Sequence, residues 1–164
     1  MSTPAKKAPE GAVSAAGLSV VIVASRFNQE WVGRLVDSAL RTLQEMGLEP
    51  DRVAVHRAPG AFELPLLAKE VVNRHRPDCV IALGAVVQGE TPHFQFVAGE
   101  AARGLQSVAL DTGVPVAFGI ITANTPEQAD ARTRPPLDRG AEAARAAVEM
   151  ARTVQQLRET AGAR

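Results

Sequence analysis

The stretch CVIALGAVVQGETPHFQF, residues 79–96, decides the fold because a strand pattern ends and a helix pattern begins within it. Its first nine residues are apolar and rich in β-branched side chains, which is typical of a strand covered on both faces. Glycine, glutamate, threonine and proline then interrupt the apolar run, and apolar residues at helical spacing follow from Phe94. A buried strand that leads into a helix is the repeating unit of a parallel α/β sheet.

Similar strand and helix patterns alternate along the rest of the chain. The expected strands are Leu18–Ser25, Arg52–Ala58, Cys79–Val87 and Val114–Thr122. The expected helices run from about Val32 to Leu43 with Gly47 as the stop, Leu64 to Asn73, Phe94 to Leu105, and Asp138 to about Leu157. This alternation predicts an α/β fold, a flavodoxin-like three-layer α/β/α sandwich with a central parallel sheet of about four strands.

Composition is that of a small globular protein. The chain has 164 residues, 46% of them hydrophobic, which suits a single domain, expected over residues 18–164. Its 18 basic and 18 acidic residues balance. This balance argues against nucleic acid and membrane surfaces as partners, because both attract a basic face. Small molecules remain the expected ligands.

Residues 1–17, MSTPAKKAPEGAVSAAG, are expected to form a flexible N-terminal arm. They lack the long apolar run that a signal peptide or a membrane span requires. The single cysteine, Cys79, excludes an intrachain disulfide and a cysteine-rich zinc site, and we expect it in the core. These features predict a protein of the reducing cytoplasm.

Each expected strand is followed by a loop with chemically versatile residues, namely SRFNQEW, APGAFELP, QGETPHF and TANTPEQADAR. The carboxyl ends of parallel strands meet at one edge of a sheet, where loops vary freely and helix amino ends converge. We therefore expect one active site, assembled from these loops.

His93 is the candidate catalytic residue. Thr91 is expected to cap the third helix and Pro92 to occupy its first position, which puts His93 at about the second position. Free backbone N–H groups in that first turn would form an anion site that suits a phosphate. An imidazole beside it could accept or donate a proton. The alternative is a capped helix start that carries a surface histidine.

Three other candidates have a structural and a functional interpretation. Phe27 is either a core side chain or a flat platform for an aromatic ring, and Asn28 after it is expected to cap the first helix. Glu63 either complements a helix dipole or accepts hydrogen bonds from substrate hydroxyls. Phe118 lies within a strand and would ordinarily belong to the core.

The charged candidates also have a structural and a functional interpretation. Arg132 and Arg139 are either solvated surface charges or clamps for a phosphate. Glu90 fits poorly beside an anion, so it would act through its backbone or complement the helix dipole. Thr125, followed by Pro126 and Glu127, is expected to begin another helix.

Several segments in this order closely resemble the 6,7-dimethyl-8-ribityllumazine synthases of riboflavin biosynthesis: RFN, PGAFELP, IALGAVVQGETPHFQFVAGEAARGL, PVAFGIITANTPEQADAR and DRGAEAA. The resemblance covers about Leu18 to Leu157. It implies condensation of 5-amino-6-(D-ribitylamino)uracil with 3,4-dihydroxy-2-butanone 4-phosphate, which yields the lumazine, phosphate and water. It also implies that the reaction needs neither a metal ion nor an organic cofactor.

The same resemblance implies which residues hold the pyrimidine substrate. Phe27 would stack on its ring, and Phe118 of an adjacent subunit would close the pocket. The ring edge and the ribityl chain would contact Ala61, Phe62 and Glu63, with backbone hydrogen bonds from Ala85, Val86 and Val87. On the phosphate side, His93 would transfer protons, and the phosphate would be held by Gly89, Glu90, Thr91 and Arg132, with Arg139 as a further candidate.

Two departures from the family pattern concern positive charge. Gln88 stands where the family usually carries Arg or Lys, which removes one source of positive potential near the phosphate. Asp138-Arg139-Gly140 replaces the usual Asn-Lys-Gly and exchanges an ammonium for a planar guanidinium. The preceding loop, TRPPL, is also atypical.

Assembly into a homopentamer, or into a hollow shell of sixty subunits, is a further implication of the resemblance. The N-terminal arm would add to the sheet of a neighbour, and the loop from Arg132 to Asp138 would influence which state forms. The alanines between Ala141 and Ala151 suggest a helix that neighbouring helices approach closely, although alanine is also a good helix former.

Other functions compete with this one. A noncatalytic flavin- or lumazine-binding protein and a shell protein would use the same scaffold. A phosphoacceptor regulatory domain would share the sheet topology, but the first strand ends in Ser25-Arg26 without the paired acidic residues that such a domain requires.

Overall fold

A computed structural model describes residues 13–162, in which four parallel strands form one sheet. The strands are β1 (Val20–Ser25), β2 (Val53–Ala58), β3 (Cys79–Val87) and β4 (Val116–Ala123), and their order across the sheet is β2-β1-β3-β4. All three neighbouring pairs are parallel, with Ala24 opposite Leu83 and Leu83 opposite Gly119. The predicted three-layer α/β fold is therefore confirmed.

Five α-helices connect and cover these strands within the described range: α1 (Gln29–Glu45), α2 (Leu64–His75), α3 (His93–Thr112), α4 (Pro126–Ala131) and α5 (Arg139–Ala161). Two short 3-10 turns, Pro50–Arg52 and Ala61–Glu63, precede β2 and α2. One apolar core joins α1 and α5 to the sheet, and a second core joins α2 and α3 to its other face. Both faces are covered, as parallel sheets require.

Strand position explains the burial pattern. Every residue of β1 is buried, and so is β3 up to its last residue, because both strands are central and covered on two faces. The edge strands β2 and β4 are partly exposed.

Strands β1 and β4 each begin two residues later than expected. The Ser19 N–H donates to the Asp78 carboxylate at 2.7 Å rather than to a strand, and Pro115 has no N–H to donate.

Three of the residues expected at helix ends are confirmed, whereas Asn28 at α1 and Thr91 at α3 make no side-chain capping bond. Asp138 and Thr125 each accept a hydrogen bond from the backbone three residues later, and Gly47 has a positive φ of 91° just after α1. At α3, however, Pro92 occupies the cap position and His93 is the first helical residue. No side-chain capping bond is made there, so the expected Thr91 cap is wrong.

The alanine-rich segment of α5 packs within its own chain. Ala141 is buried, and four further buried alanines belong to the core shared with α1 and the sheet: Ala143, Ala144, Ala147 and Ala151. Gly140 permits this close approach, because a Cβ at that position would collide with the backbone carbonyl of Leu35 on α1. The buried alanines are therefore explained by intrachain packing, whereas Ala146 is exposed.

The expected flexible arm lies mostly outside the described residues. Its last five residues, 13–17, are described and they pack against the domain. Ala15 is fully buried and donates its N–H to the Met46 carbonyl at 2.8 Å, and the Arg152 guanidinium donates to the carbonyls of Ser14 and Ala16. The packed structure thus begins before Leu18. Within residues 13–162, no helix has both the length and the apolar character needed to cross a bilayer.

Candidate active site

A cleft of about 490 Å³ opens at the carboxyl ends of β1 and β3. It is lined by three of the four predicted loops, the end of β3 and the start of α3: Phe27, Asn28, Gly60, Ala61, Phe62, Glu63, Ala85, Val86, Val87, Gly89, Thr91, His93, Phe94 and Val97. The expectation that these loops converge is therefore met for most of the candidate residues. A polar cavity of about 510 Å³ lies at the opposite end of the sheet, but there the Arg158 guanidinium is already bonded to the Gly113 carbonyl.

Two exposed aromatic side chains stand at the cleft. Phe27 is 71% exposed and Phe62 is 57% exposed, so neither belongs to the core. The alternative interpretation of Phe27 as a core residue is wrong for this chain. Large aromatic faces left open beside a cleft suit the stacking of a planar ring.

The floor of the cleft is the end of β3. Strand β3 continues to Val87, whereas its pairing with β1 ends at Leu83 opposite Ala24. The backbone from Ala85 onward therefore extends past β1 into the cleft. On the side away from β1, the chain remains hydrogen-bonded to β4 just beyond the end of β3, since the Gln88 N–H donates to the Ala123 carbonyl at 2.9 Å.

Glu63 forms part of the cleft wall and also stabilises it. Its carboxylate accepts a hydrogen bond from the Gly60 N–H at 2.9 Å, which closes the 3-10 turn before α2. The side chain remains exposed and lines the cleft. The structural and the functional interpretations of this residue are thus compatible.

His93 lies where the loop from β3 enters α3. As the first residue of a 20-residue helix, it stands beside backbone N–H groups that have no partner within the helix. The imidazole lines the cleft together with Gly89 and Thr91, whereas Glu90 is exposed and does not line it. Proton transfer and anion binding are therefore both available at one end of the cleft.

Phe118, Arg132 and Arg139 lie elsewhere. They line a separate hollow of about 290 Å³ with residues 119–122, on the side of β4 that no described strand pairs with. Phe118 is 49% exposed and so is not the core residue that its strand position suggested. The Arg132 guanidinium donates to the Gln128 carbonyl at 2.8 Å, and Arg139 pairs with Glu142. Within one described chain, these three residues do not join the cleft.

Cys79 lies in the hydrophobic core. It is fully buried at the start of β3, and burial, with a smaller contribution from the charge of Asp78, raises the pKa of its thiol to about 12. Such a thiol is unreactive. Over the described part of the chain, no group of three or more His, Cys, Asp and Glu side chains is placed to hold a metal ion.

Some cleft residues were assigned differently from the sequence. Phe94 and Val97 were expected only as part of the apolar face of α3, and they do pack against the core. The first five residues of α3 also border the cleft, and both Phe94 and Val97 line it. Asn28 was expected as a helix cap, but its side chain makes no capping bond and instead donates to the Ala85 carbonyl at 2.8 Å.

The fold and the cleft together define a small α/β enzyme that acts on a compact substrate at the carboxyl ends of its central strands. The sequence profile described as 6,7-dimethyl-8-ribityllumazine synthase matches residues 17–155. The chain belongs to the 6,7-dimethyl-8-ribityllumazine synthase family. Membership identifies it as a transferase of riboflavin biosynthesis and confirms the resemblance noted from its motifs.

Proteins named 6,7-dimethyl-8-ribityllumazine synthase from three organisms illustrate the similarity. The one from Nitratidesulfovibrio vulgaris is 45% identical over 152 residues, which cover 92% of this chain and 97% of the relative. The one from Syntrophus aciditrophicus is 44% identical over 149 residues, 90% of this chain and 97% of the relative. The one from Thermus thermophilus is 43% identical over 146 residues, 88% of this chain and 93% of the relative.

Proposed function

We propose that the cleft condenses 5-amino-6-(D-ribitylamino)uracil with 3,4-dihydroxy-2-butanone 4-phosphate to give 6,7-dimethyl-8-ribityllumazine, phosphate and water. The observation that carries this proposal is that the exposed ring of Phe27 and the imidazole of His93 border the same cleft. A planar pyrimidine would stack on Phe27, with its edge and its ribityl chain along Ala61, Phe62, Glu63 and the β3 backbone at Ala85, Val86 and Val87.

The reaction consists of proton transfers between steps that rearrange bonds. The 5-amino group adds to the ketone, and the carbinolamine loses water to give an imine. Phosphate then leaves, the ribityl-bearing amine closes the second ring, and a further water is lost. His93 would move protons in these steps, a contribution of typically about 10²–10⁴ in rate. Holding both substrates in reactive orientation would supply up to roughly 7–11 kcal/mol more.

The phosphate of the second substrate would bind at the start of α3. Backbone N–H groups of Gly89, Glu90 and Thr91 would surround it, and the helix dipole would favour its negative charge. Glu90 takes part through its backbone, consistent with its exposed side chain. No metal ion or organic cofactor is required by this chemistry.

Positive charge would come from a neighbouring subunit. Phe118, Arg132 and Arg139 share a hollow beside the edge of β4 that no strand of residues 13–162 pairs with, apart from the cleft of their own chain. If that edge faces the cleft of an adjacent copy, Phe118 closes the pyrimidine pocket and Arg132 reaches the phosphate, with Arg139 beside it. Arg139 would first have to exchange its ion pair with Glu142 for the substrate.

We therefore propose a homopentamer as the functional unit, with a shell of sixty subunits as its larger form. Large exposed apolar side chains support association, and they include Phe96, Leu110, Phe118, Met150 and Leu157. The exposed edge strand β2 is available for a neighbour's N-terminal arm. The lone, buried Cys79 is consistent with a cytoplasmic location.

A complementation assay tests both the reaction and the shared site. The purified protein is first mixed with the two named substrates, and the fluorescent lumazine is measured. His93→Ala and Arg132→Ala chains are then unfolded, mixed, refolded together and assayed with the butanone phosphate well below its wild-type KM, where both variants should be slow. If each site takes His93 from one chain and Arg132 from another, random mixing restores roughly a quarter of the sites. No gain over the separate variants would argue for a site within one chain. Native mass spectrometry of the wild type distinguishes pentamer from shell.

A further inference from the structure

Asn28 has an unusual backbone conformation for its position. Its φ of 58° and ψ of 45° lie in the left-handed region, which asparagine tolerates better than most residues other than glycine. It precedes α1 in the cap position, yet its side chain does not bond to the helix. The side-chain amide instead donates across the cleft wall to the Ala85 carbonyl, at 2.8 Å between Nδ2 and O.

This hydrogen bond takes the place of a further backbone hydrogen bond between β1 and β3. The pairing of β1 with β3 ends at Ala24 opposite Leu83, and Ala85 lies two residues farther along β3. The main chain has by then turned away, because the Arg26 N–H donates to the Ala58 carbonyl at 2.8 Å and the Phe27 N–H to the Pro59 carbonyl at 3.0 Å. The Asn28 amide thus serves as the donor that another β1 residue would have provided to β3.

Phe27 depends on this arrangement for its orientation. The residue is 71% exposed, so packing contributes little to hold its ring. The orientation of the ring therefore depends on the backbone of this segment. That backbone is hydrogen-bonded to the end of β2 on one side and, through the Asn28 side chain, to β3 on the other. Loss of the Asn28 side-chain bond would remove the link from residues 26–28 to β3 and leave their backbone bonds to the end of β2 and to α1, where the Val32 N–H donates to the Asn28 carbonyl.

We infer that Asn28 is a positioning residue that holds the ring of Phe27 over the β3 floor of the cleft by bonding to the Ala85 carbonyl. The inference rests on the proposed stacking of the pyrimidine substrate on Phe27. It adds Asn28 as a residue that affects substrate binding through Phe27. The left-handed backbone and the absence of a side-chain capping bond are both consistent with an amide that is used for this contact.

Two substitutions test this role. Asn28→Gly tolerates the left-handed conformation but removes the side chain, and Asn28→Asp keeps its shape but replaces the donor with an acceptor. Asn73→Asp, at an exposed position on α2 away from the cleft, is the matched control. Circular dichroism and the unfolding midpoint show whether each variant is folded.

Amide hydrogen exchange tests the role of Asn28 without depending on enzyme activity. Because one hydrogen bond is lost, exchange of the Arg26 and Phe27 amides should quicken by about five- to tenfold in both Asn28 variants and remain unchanged in the control. KM for the pyrimidine substrate should rise by a similar factor, with KM for the phosphate substrate unchanged. Unchanged exchange in both variants would overturn the inference. Faster exchange with no product from the wild type would instead refute the proposed function alone.

Discussion

The Ser38 hydroxyl on α1 donates a hydrogen bond to the carboxylate of Asp138, the residue that caps α5. The other oxygen of that carboxylate accepts from the Ala141 N–H at 3.1 Å. One side chain therefore satisfies the first turn of α5 and a buried hydroxyl of α1 together. This pair of bonds joins the two helices that cover one face of the sheet.

Asp138→Ala should lower the free energy of unfolding by about 2 kcal/mol, because it removes a helix cap and leaves the Ser38 hydroxyl buried without this partner. Urea unfolding at a fixed protein concentration measures the change. Asp37→Ala removes an exposed carboxylate from α1 one residue before Ser38 and should change stability by less than about 0.5 kcal/mol. Equal effects of the two substitutions would contradict this explanation of the α1–α5 contact.

His93→Ala should reduce kcat by about 10² while leaving a readily measurable rate, since substrate orientation does not depend on the imidazole. KM for both substrates should change little. The matched control is His75→Ala, at an exposed position near the end of α2 whose ring stacks on His56 rather than facing the cleft. Stopped-flow or steady-state lumazine fluorescence gives the rates. An unchanged kcat in His93→Ala would remove His93 from the mechanism.

Arg132→Ala should act mainly on the phosphate substrate. Loss of one charge-assisted hydrogen bond costs about 1.5–3 kcal/mol, so KM for the butanone phosphate should increase by at least about tenfold. KM for the pyrimidine should remain within about twofold, because a guanidinium at the phosphate makes little contact with that ring. Arg145→Ala on the exposed side of α5 is the charge-matched control. A selective rise in the pyrimidine KM would contradict the assignment.

Asp130 should make the stability of the protein depend on acid pH. A hydrogen bond from Arg134, then the charges of Arg134 and Arg34, hold the pKa of this carboxyl below its ordinary value of 3.8, although burial opposes them. Because the folded-state pKa is lowered, the stabilisation is fully present above 3.8 and is lost as the pH falls through the folded-state pKa.

The difference in unfolding free energy between wild type and Asp130→Asn should therefore be largest near neutral pH and should decrease below pH 3.8. Asp51→Asn, an exposed carboxylate before β2, provides the comparison. A difference that grew on acidification would have the wrong sign for this network.

Sequence patterns predicted the parts of the structure that depend on local chemistry. The bounds of β3 were correct, because a run buried on both faces is almost continuously apolar. Asp138 was correct as a cap, because its carboxylate needs only the backbone three residues ahead. The clustering of Phe27, Glu63 and His93 followed from the alternation of strands and helices alone.

Other features depend on contacts between distant segments, which no local pattern encodes. Asn28 looked like a helix cap, but its amide bonds to Ala85, fifty-seven residues away. Phe118 looked like a core residue, because an edge strand open on one side has the same apolar pattern as a covered one. The alternating burial of the α5 alanines also depends on distant segments, because Ala143, Ala144, Ala147 and Ala151 pack with residues of α1 and the sheet.

Gly140 and Gly33 illustrate how differently two helical glycines respond to engineering. At Gly140 the backbone of α1 leaves no room for even a methyl group, so a mutational library selected for folding should retain only glycine there. At Gly33, on α1, an added Cβ would meet no described atom within 4 Å beyond the neighbouring residues and backbone of its own helix. Alanine at that position should raise thermostability through a helix propensity gain of about 0.8–1.0 kcal/mol, which makes it a starting point for a more robust biocatalyst.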